Sequence, residues 1–60
     1  MDAQEKYKVA RKVLVHLMEI RHKIYEIQDE FNPDDFEELA DQIIEVDLAT
    51  EKAIYWCEVL

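Results

Sequence analysis

The sequence predicts an all-α protein: an antiparallel two-helix hairpin that associates with a second copy, as a dimer, into a four-helix bundle. Three observations predict it. Apolar residues recur at alternating steps of three and four through nearly the whole chain, the spacing of a helical seam. The one proline, Pro33, stands near the middle of 60 residues that contain no glycine. Each helix carries a second apolar stripe beside its seam, and a helix apolar over half its circumference needs more than one neighbour.

The elements follow in order within a single helical-hairpin domain, residues 1–60. Asp2 with Glu5 three residues on fits a capping box that opens a first helix. Nothing interrupts the pattern from Ala3 to Glu30, so the first helix is expected over about residues 3–30. A corner is expected at 31–32. Asn32 is a good N-cap, and Pro33 fits the first helical position, where its missing N–H costs nothing. Proline also pushes Asn32 out of the helical region, which ends the first helix. Asp34 and Asp35 complement the positive helix terminus. Phe31 and Phe36 stand where a hydrophobic staple would. The second helix is therefore expected over about residues 33–60. Two helices of about 28 residues would each be about 42 Å long, and so short a link folds them back to back.

The first helix carries its seam on Ala10, Val13, Leu17, Ile20, Ile24 and Ile27, continued by Phe31. The second carries Phe36, Leu39, Ile43, Val46, Thr50, Ala53, Cys57 and Leu60. Each helix also has a second stripe: Tyr7, Leu14, Met18 and Tyr25 on one, Ile44, Leu48, Tyr55 and Val59 on the other. Trp56 adds to an apolar tail. One hairpin leaves these second stripes uncovered. Leu14, Met18, Tyr25, Ile44, Leu48, Tyr55, Trp56 and Val59 are the expected surfaces for self-association or for a protein partner.

A 60-residue chain buries little on its own and commonly needs a disulfide, a metal or a partner. The single cysteine, Cys57, excludes an internal disulfide, and His16 and His22 have no companion thiols for zinc. No apolar run of membrane-spanning length occurs, so no membrane partner is expected. The opening MDAQEKYK lacks the apolar core of a secretory leader; with one free thiol, the expected location is cytoplasmic.

Fifteen acidic against seven basic residues give a formal charge of −8. That disfavours direct binding to nucleic acid, since phosphate contacts need cations. Six of the seven bases lie between Lys6 and Lys23, whereas Glu26 to Asp47 holds ten carboxylates and no Lys or Arg. Asp29, Glu30, Asp34, Asp35, Glu37 and Glu38 thus form an acidic tip. Such a run is ordinarily a solvated face; its functional reading is a docking end for a basic protein surface.

In outline the chain resembles the Rop family of plasmid regulators, acidic hairpins of about this length. The shared features are the start Gln4-Glu5-Lys6 and the Asp-rich corner. The resemblance implies a dimeric bundle and an RNA-binding first helix, on which Lys6, Lys8, Arg11 and Lys12 would serve. The net charge weighs against that binding.

Glu38-Leu39-Ala40-Asp41 opens EELADQIIEVDLA, which looks like the acidic helix of all-α nucleotide pyrophosphohydrolases of the MazG kind. That resemblance implies magnesium held by paired carboxylates, with Glu26-Ile27-Gln28-Asp29 in place of the family's Glu-x-x-Glu. Glu19-Ile20-Arg21-His22 has the Glu-x-x-His spacing of carboxylate-bridged metal bundles, with Asp41 and Glu45 at about the same level. All of these carboxylates lie off the seams, so no metal, no cofactor and no catalytic residue is expected. With no serine or glycine, a serine nucleophile and a glycine phosphate loop are also excluded. Arg21 and Gln28 lie between the stripes of the first helix, Asp47 and Glu51 between those of the second. They are expected to form an interfacial ion-pair layer that fixes register. The reading favoured is a small acidic, non-enzymatic interaction module: a regulator or inhibitor of phage or plasmid type, binding itself and a protein partner.

Overall fold

The computed structural model of the chain describes residues 1–60. It contains two helices and no strands: α1, Ala3–Gln28, and α2, Glu37–Val59. They run antiparallel, so that Arg21 of α1 meets Asp47 and Glu51 of α2. The molecule measures 49 × 15 × 13 Å. Its radius of gyration is 14.6 Å, against about 10 Å for a compact chain of this length. No helix is long and apolar enough to cross a membrane.

Asp2 caps α1 as its sequence suggests. Its Oδ1 accepts from the backbone N–H of Glu5 at 2.8 Å, and its backbone is extended. The reciprocal half of the box, from the Glu5 side chain, is not formed. At the other end the Asp29 N–H is shared between the carbonyls of Tyr25 (3.3 Å) and Glu26 (3.2 Å), and Glu30 bonds back to Ile27 at 3.0 Å. The last turn tightens into i→i+3 bonds, a common way to close a helix without glycine. No residue takes a positive φ.

The corner differs from its expected form. It spans residues 29–36 rather than 31–32, and α2 begins at Glu37 rather than Pro33. The cap signals around Asn32 are satisfied locally. Asn32 Oδ1 accepts from the Asp34 N–H at 3.0 Å, an Asx turn, and Asp35 and Phe36 bond back to Asn32 (3.0 Å) and Pro33 (3.3 Å). That turn does not propagate, because Phe36 has φ −137° and ψ 60°, outside the helical region. The break lets the Phe36 ring meet Phe31 edge-on, with centroids 5.9 Å apart. The two phenylalanines do clasp the corner, but across a turn that precedes the helix.

The line of contact between the helices also differs from the expected seam. Ala10, Leu14 and Ile24 are the buried apolar residues, joined by Thr50, whose hydroxyl donates to the Val46 carbonyl at 2.8 Å. Half-buried positions continue the line through Leu17, Arg21 and Gln28, and through Ile43, Asp47, Ile54 and Cys57. On α1 the contact line is thus 10, 14, 17, 21, 24, 28. Of the seam residues, Ala10, Ile24 and Thr50 are buried and Leu17, Ile27, Phe31, Ile43, Ala53 and Cys57 half-buried, whereas Val13, Ile20, Phe36, Leu39, Val46 and Leu60 lie exposed. Leu14, assigned to an uncovered stripe, is instead buried within the hairpin.

The cause is rotational. At 3.6 residues per turn, the centre of each seam lies roughly 40–50° around its helix from the direction of the neighbouring helix. In an antiparallel pair both displacements fall on the same side. Two long faces result. The seam face carries Val9, Val13 and Ile20 of α1 beside Leu39 and Val46 of α2. At its open end Val9, Ala10, Val13, Cys57 and Leu60 line one shallow groove. The opposite, aromatic face carries Met18, Tyr25 and Ile54 around Arg21.

Candidate interaction surfaces

Three features could contact a partner: the two long faces and the acidic tip. The aromatic face is built around an ionic layer. Arg21 Nη2 donates to Glu51 Oε1, and Arg21 Nε lies 3.3 Å from Asp47 Oδ1. The side chain of Asp47 is 18% exposed. Arg21 Nε and Asp47 Oδ1 are both buried, and neither makes an aligned hydrogen bond. One guanidinium shared between two carboxylates a turn apart is aligned on Glu51 and meets Asp47 chiefly through charge. The guanidinium also lies 5.7 Å from the centroid of the Tyr25 ring.

Desolvation pulls the Arg21 pKa down, but the charges of Glu51, Tyr25 and Asp47 outweigh it, and the net shift is upward. A raised folded pKa means that the cation's contribution is fully present below the unfolded value. It is lost only as pH rises through the folded one, beyond the pH at which a free guanidinium gives up its proton. Arg21 is therefore a permanent cation here. The layer expected from Arg21, Asp47 and Glu51 is present, at the edge of the helix contact and open to one side. Gln28 lies on the same line without an ionic partner.

Around this layer Met18, Tyr25, Ile44, Leu48, Tyr55 and Val59 are all exposed. Tyr55 and Trp56 stack edge-on at 5.7 Å, and Trp56 is 65% exposed. Neighbouring residues of a helix lie 100° apart, so Trp56 falls toward the seam face while Tyr55 falls toward the other. Nearer the open end Arg11 lies over the Tyr7 ring at 5.5 Å.

At the tip Asp29, Glu30, Asp34, Asp35, Glu37 and Glu38 are exposed, and none is in an ion pair. Glu37 and Glu38 occupy the first turn of α2, where they favour the helix dipole. The remaining acids disperse. Glu26 pairs with His22 and Lys23, each at 3.3 Å, and Glu19 lies 3.9 Å from His16. Glu19 and His22, spaced as ligands, thus face different partners. Glu38 and Asp41 do not meet Glu26 and Asp29, and no three His, Cys, Asp or Glu side chains gather where they could hold a metal ion.

The surface that sequence reasoning missed is the seam face. Its residues, Val13, Ile20, Leu39 and Val46, were legible only as core. The signal that could have found it is the presence of apolar stripes on both sides of each contact line. Compared with protein-family models, with curated proteins and with solved structures, the chain matches none.

Proposed function

We propose that this chain is a small, non-enzymatic protein-interaction module. Its hairpin pairs with a second copy as a four-helix bundle and offers its remaining surfaces to a different protein, acting as a regulator or inhibitor. The observation that carries this reading is the area left in water. The accessible surface is 5034 Å², whereas a compact monomer of 7.2 kDa exposes about 4100 Å². The excess, about 900 Å², is close to the roughly 800 Å² that each partner of a standard interface buries. No side chain is fully buried, and aliphatic and aromatic residues stand exposed on both long faces. A hairpin of this kind gains most of its apolar burial from what it docks against.

The acidic tip fits a partner with a basic surface. Its charges would act mainly on association rate and be screened over about 10 Å at 0.1 M salt. Sedimentation equilibrium at micromolar concentration tests the self-association. The expected mass is twice 7.2 kDa, and a single 7.2 kDa species at every concentration would overturn it. For the second partner, changing Asp34, Asp35, Glu37 and Glu38 to lysine is expected to slow association in low salt. Tyr55→Ala and Leu48→Ala are expected to speed dissociation, as changes at an apolar contact do.

A further inference from the structure

Resting on the self-association just proposed, we infer which surface the second copy covers: the seam face of Val9, Val13, Ile20, Leu39 and Val46. The stripe of Met18, Tyr25, Leu48 and Tyr55 stays in water. Three observations carry this inference.

The first is rotational. In a square array of four helices, each helix directs its core stripe at the central axis. That axis lies about 45° from the direction of either neighbour. Here both heptad seams are turned by roughly 40–50° from the intramolecular contact, and toward the same face. A helix pair that completed its packing alone would have its seams pointing at each other. Seams turned together mark the side on which the bundle axis runs. Ala10, Leu17, Ile24, Ile43, Thr50 and Cys57 then point between the two helices of one hairpin. Val13, Ile20, Leu39 and Val46 point across to the other.

The second is chemical. Val9, Val13, Ile20, Leu39 and Val46 are aliphatic, four of them β-branched or valine-sized, and each is close to half exposed in the lone hairpin. Stiff side chains of this type lose little rotamer freedom on burial and set register well. The opposite face has the permanently charged Arg21 at its centre, so closing it against a second copy would bury two guanidinium–carboxylate clusters and incur their desolvation.

The third is the charge distribution along the hairpin. Residues 1–15 and 53–60, the open end, hold four bases and three acids. Residues 16–52, the corner end, hold three bases and twelve acids. A second copy laid on the seam face in the reverse direction keeps the two acidic corners at opposite ends of the bundle, each beside the nearly neutral open end of the other, so their like charges do not meet. The occupant this electrical pattern fits is the same chain.

The test uses thiol protection in the otherwise full chain carrying Cys57→Ala. At a concentration where the wild type sediments as a dimer, Val13→Cys is expected to react with a maleimide at least about tenfold more slowly than Leu48→Cys, and to lose that protection on dilution. As a second arm, Ile20→Glu with Val46→Glu is expected to weaken the dimer at least about a hundredfold, while Met18→Glu with Leu48→Glu leaves the sedimented mass unchanged. Labelling does not depend on the glutamate variants folding. Protection of Leu48→Cys with free reaction of Val13→Cys in a dimeric protein overturns this inference alone. A wild type that is monomeric throughout overturns the self-association on which it rests.

Discussion

The two long faces of the hairpin both expose large apolar side chains and differ in their chemistry. The seam face is aliphatic, lies in heptad register on both helices and has no charge at its centre. The aromatic face is built from Met18, Tyr25 and Tyr55, whose side chains are adaptable or carry a polar end, set around Arg21, Asp47 and Glu51. Rigid aliphatics in register suit one fixed helical neighbour. Methionine and tyrosine suit a surface that adapts to a different partner and tolerates water at its edge. The ionic layer divides these roles. Standing at the rim of the helix contact, it holds Asp47 largely buried and leaves one side open.

The largest test of this difference comes from trimming each face. In the lone hairpin Val13 is 42% exposed, Ile20 48% and Met18 59%. On those figures alone, alanine at any of them should cost little. If the seam face is covered, Ile20→Ala and Val13→Ala should each lower stability by about 1–3 kcal/mol per chain, as in a core, while Met18→Ala stays within about 0.5 kcal/mol. Denaturant melts at a fixed micromolar concentration distinguish the two. Equal small effects at all three positions would erase the distinction between the faces.

The ionic layer gives the next comparison. Arg21→Met strands Asp47 without a cation and should lower the melting temperature. Combining it with Asp47→Leu and Glu51→Leu should recover the loss or exceed it, because a packed apolar layer avoids desolvation. A triple variant less stable than Arg21→Met alone would show that the ionic layer stabilises the hairpin outright.

How far these surfaces were legible in the sequence depends on what each signal measures. Asn32, Pro33 and the flanking phenylalanines announced a corner because their chemistry is local. The same chemistry serves an isolated Asx turn as well as a helix start, so it could not show that Phe36 would leave the helical region and delay α2 to Glu37. The heptad spacing revealed that each helix has an apolar seam. It is blind to rotation: the same spacing describes a seam aimed at the next helix or at a bundle axis. The spacing alone thus leaves Leu14 uncovered and Val13 covered, and the hairpin reverses both. Arg21, Asp47 and Glu51 were legible because charged residues that interrupt apolar stripes must find partners. The carboxylates of the tip were legible as exposed because nothing cationic lies near them in the chain.

Smaller effects separate the two helix starts. Asp2 makes a true cap bond to Glu5, and Asp2→Ala should cost about 1 kcal/mol. Asn32 supports only an exposed turn ahead of α2, so Asn32→Ala should cost less, about 0.5 kcal/mol. Comparing the two in the same denaturant titration checks the corner directly. A larger loss at Asn32 would place the start of α2 back at Pro33.

The central claim is that the heptad seam of this hairpin is completed by a second copy. Thermal unfolding, followed by the helical circular dichroism signal over about a hundredfold range of protein concentration, tests it most directly. The midpoint should rise with concentration for the wild type and for Met18→Glu with Leu48→Glu. For Ile20→Glu with Val46→Glu it should fall sharply and no longer depend on concentration. A wild-type midpoint that stays the same at every concentration would contradict the account.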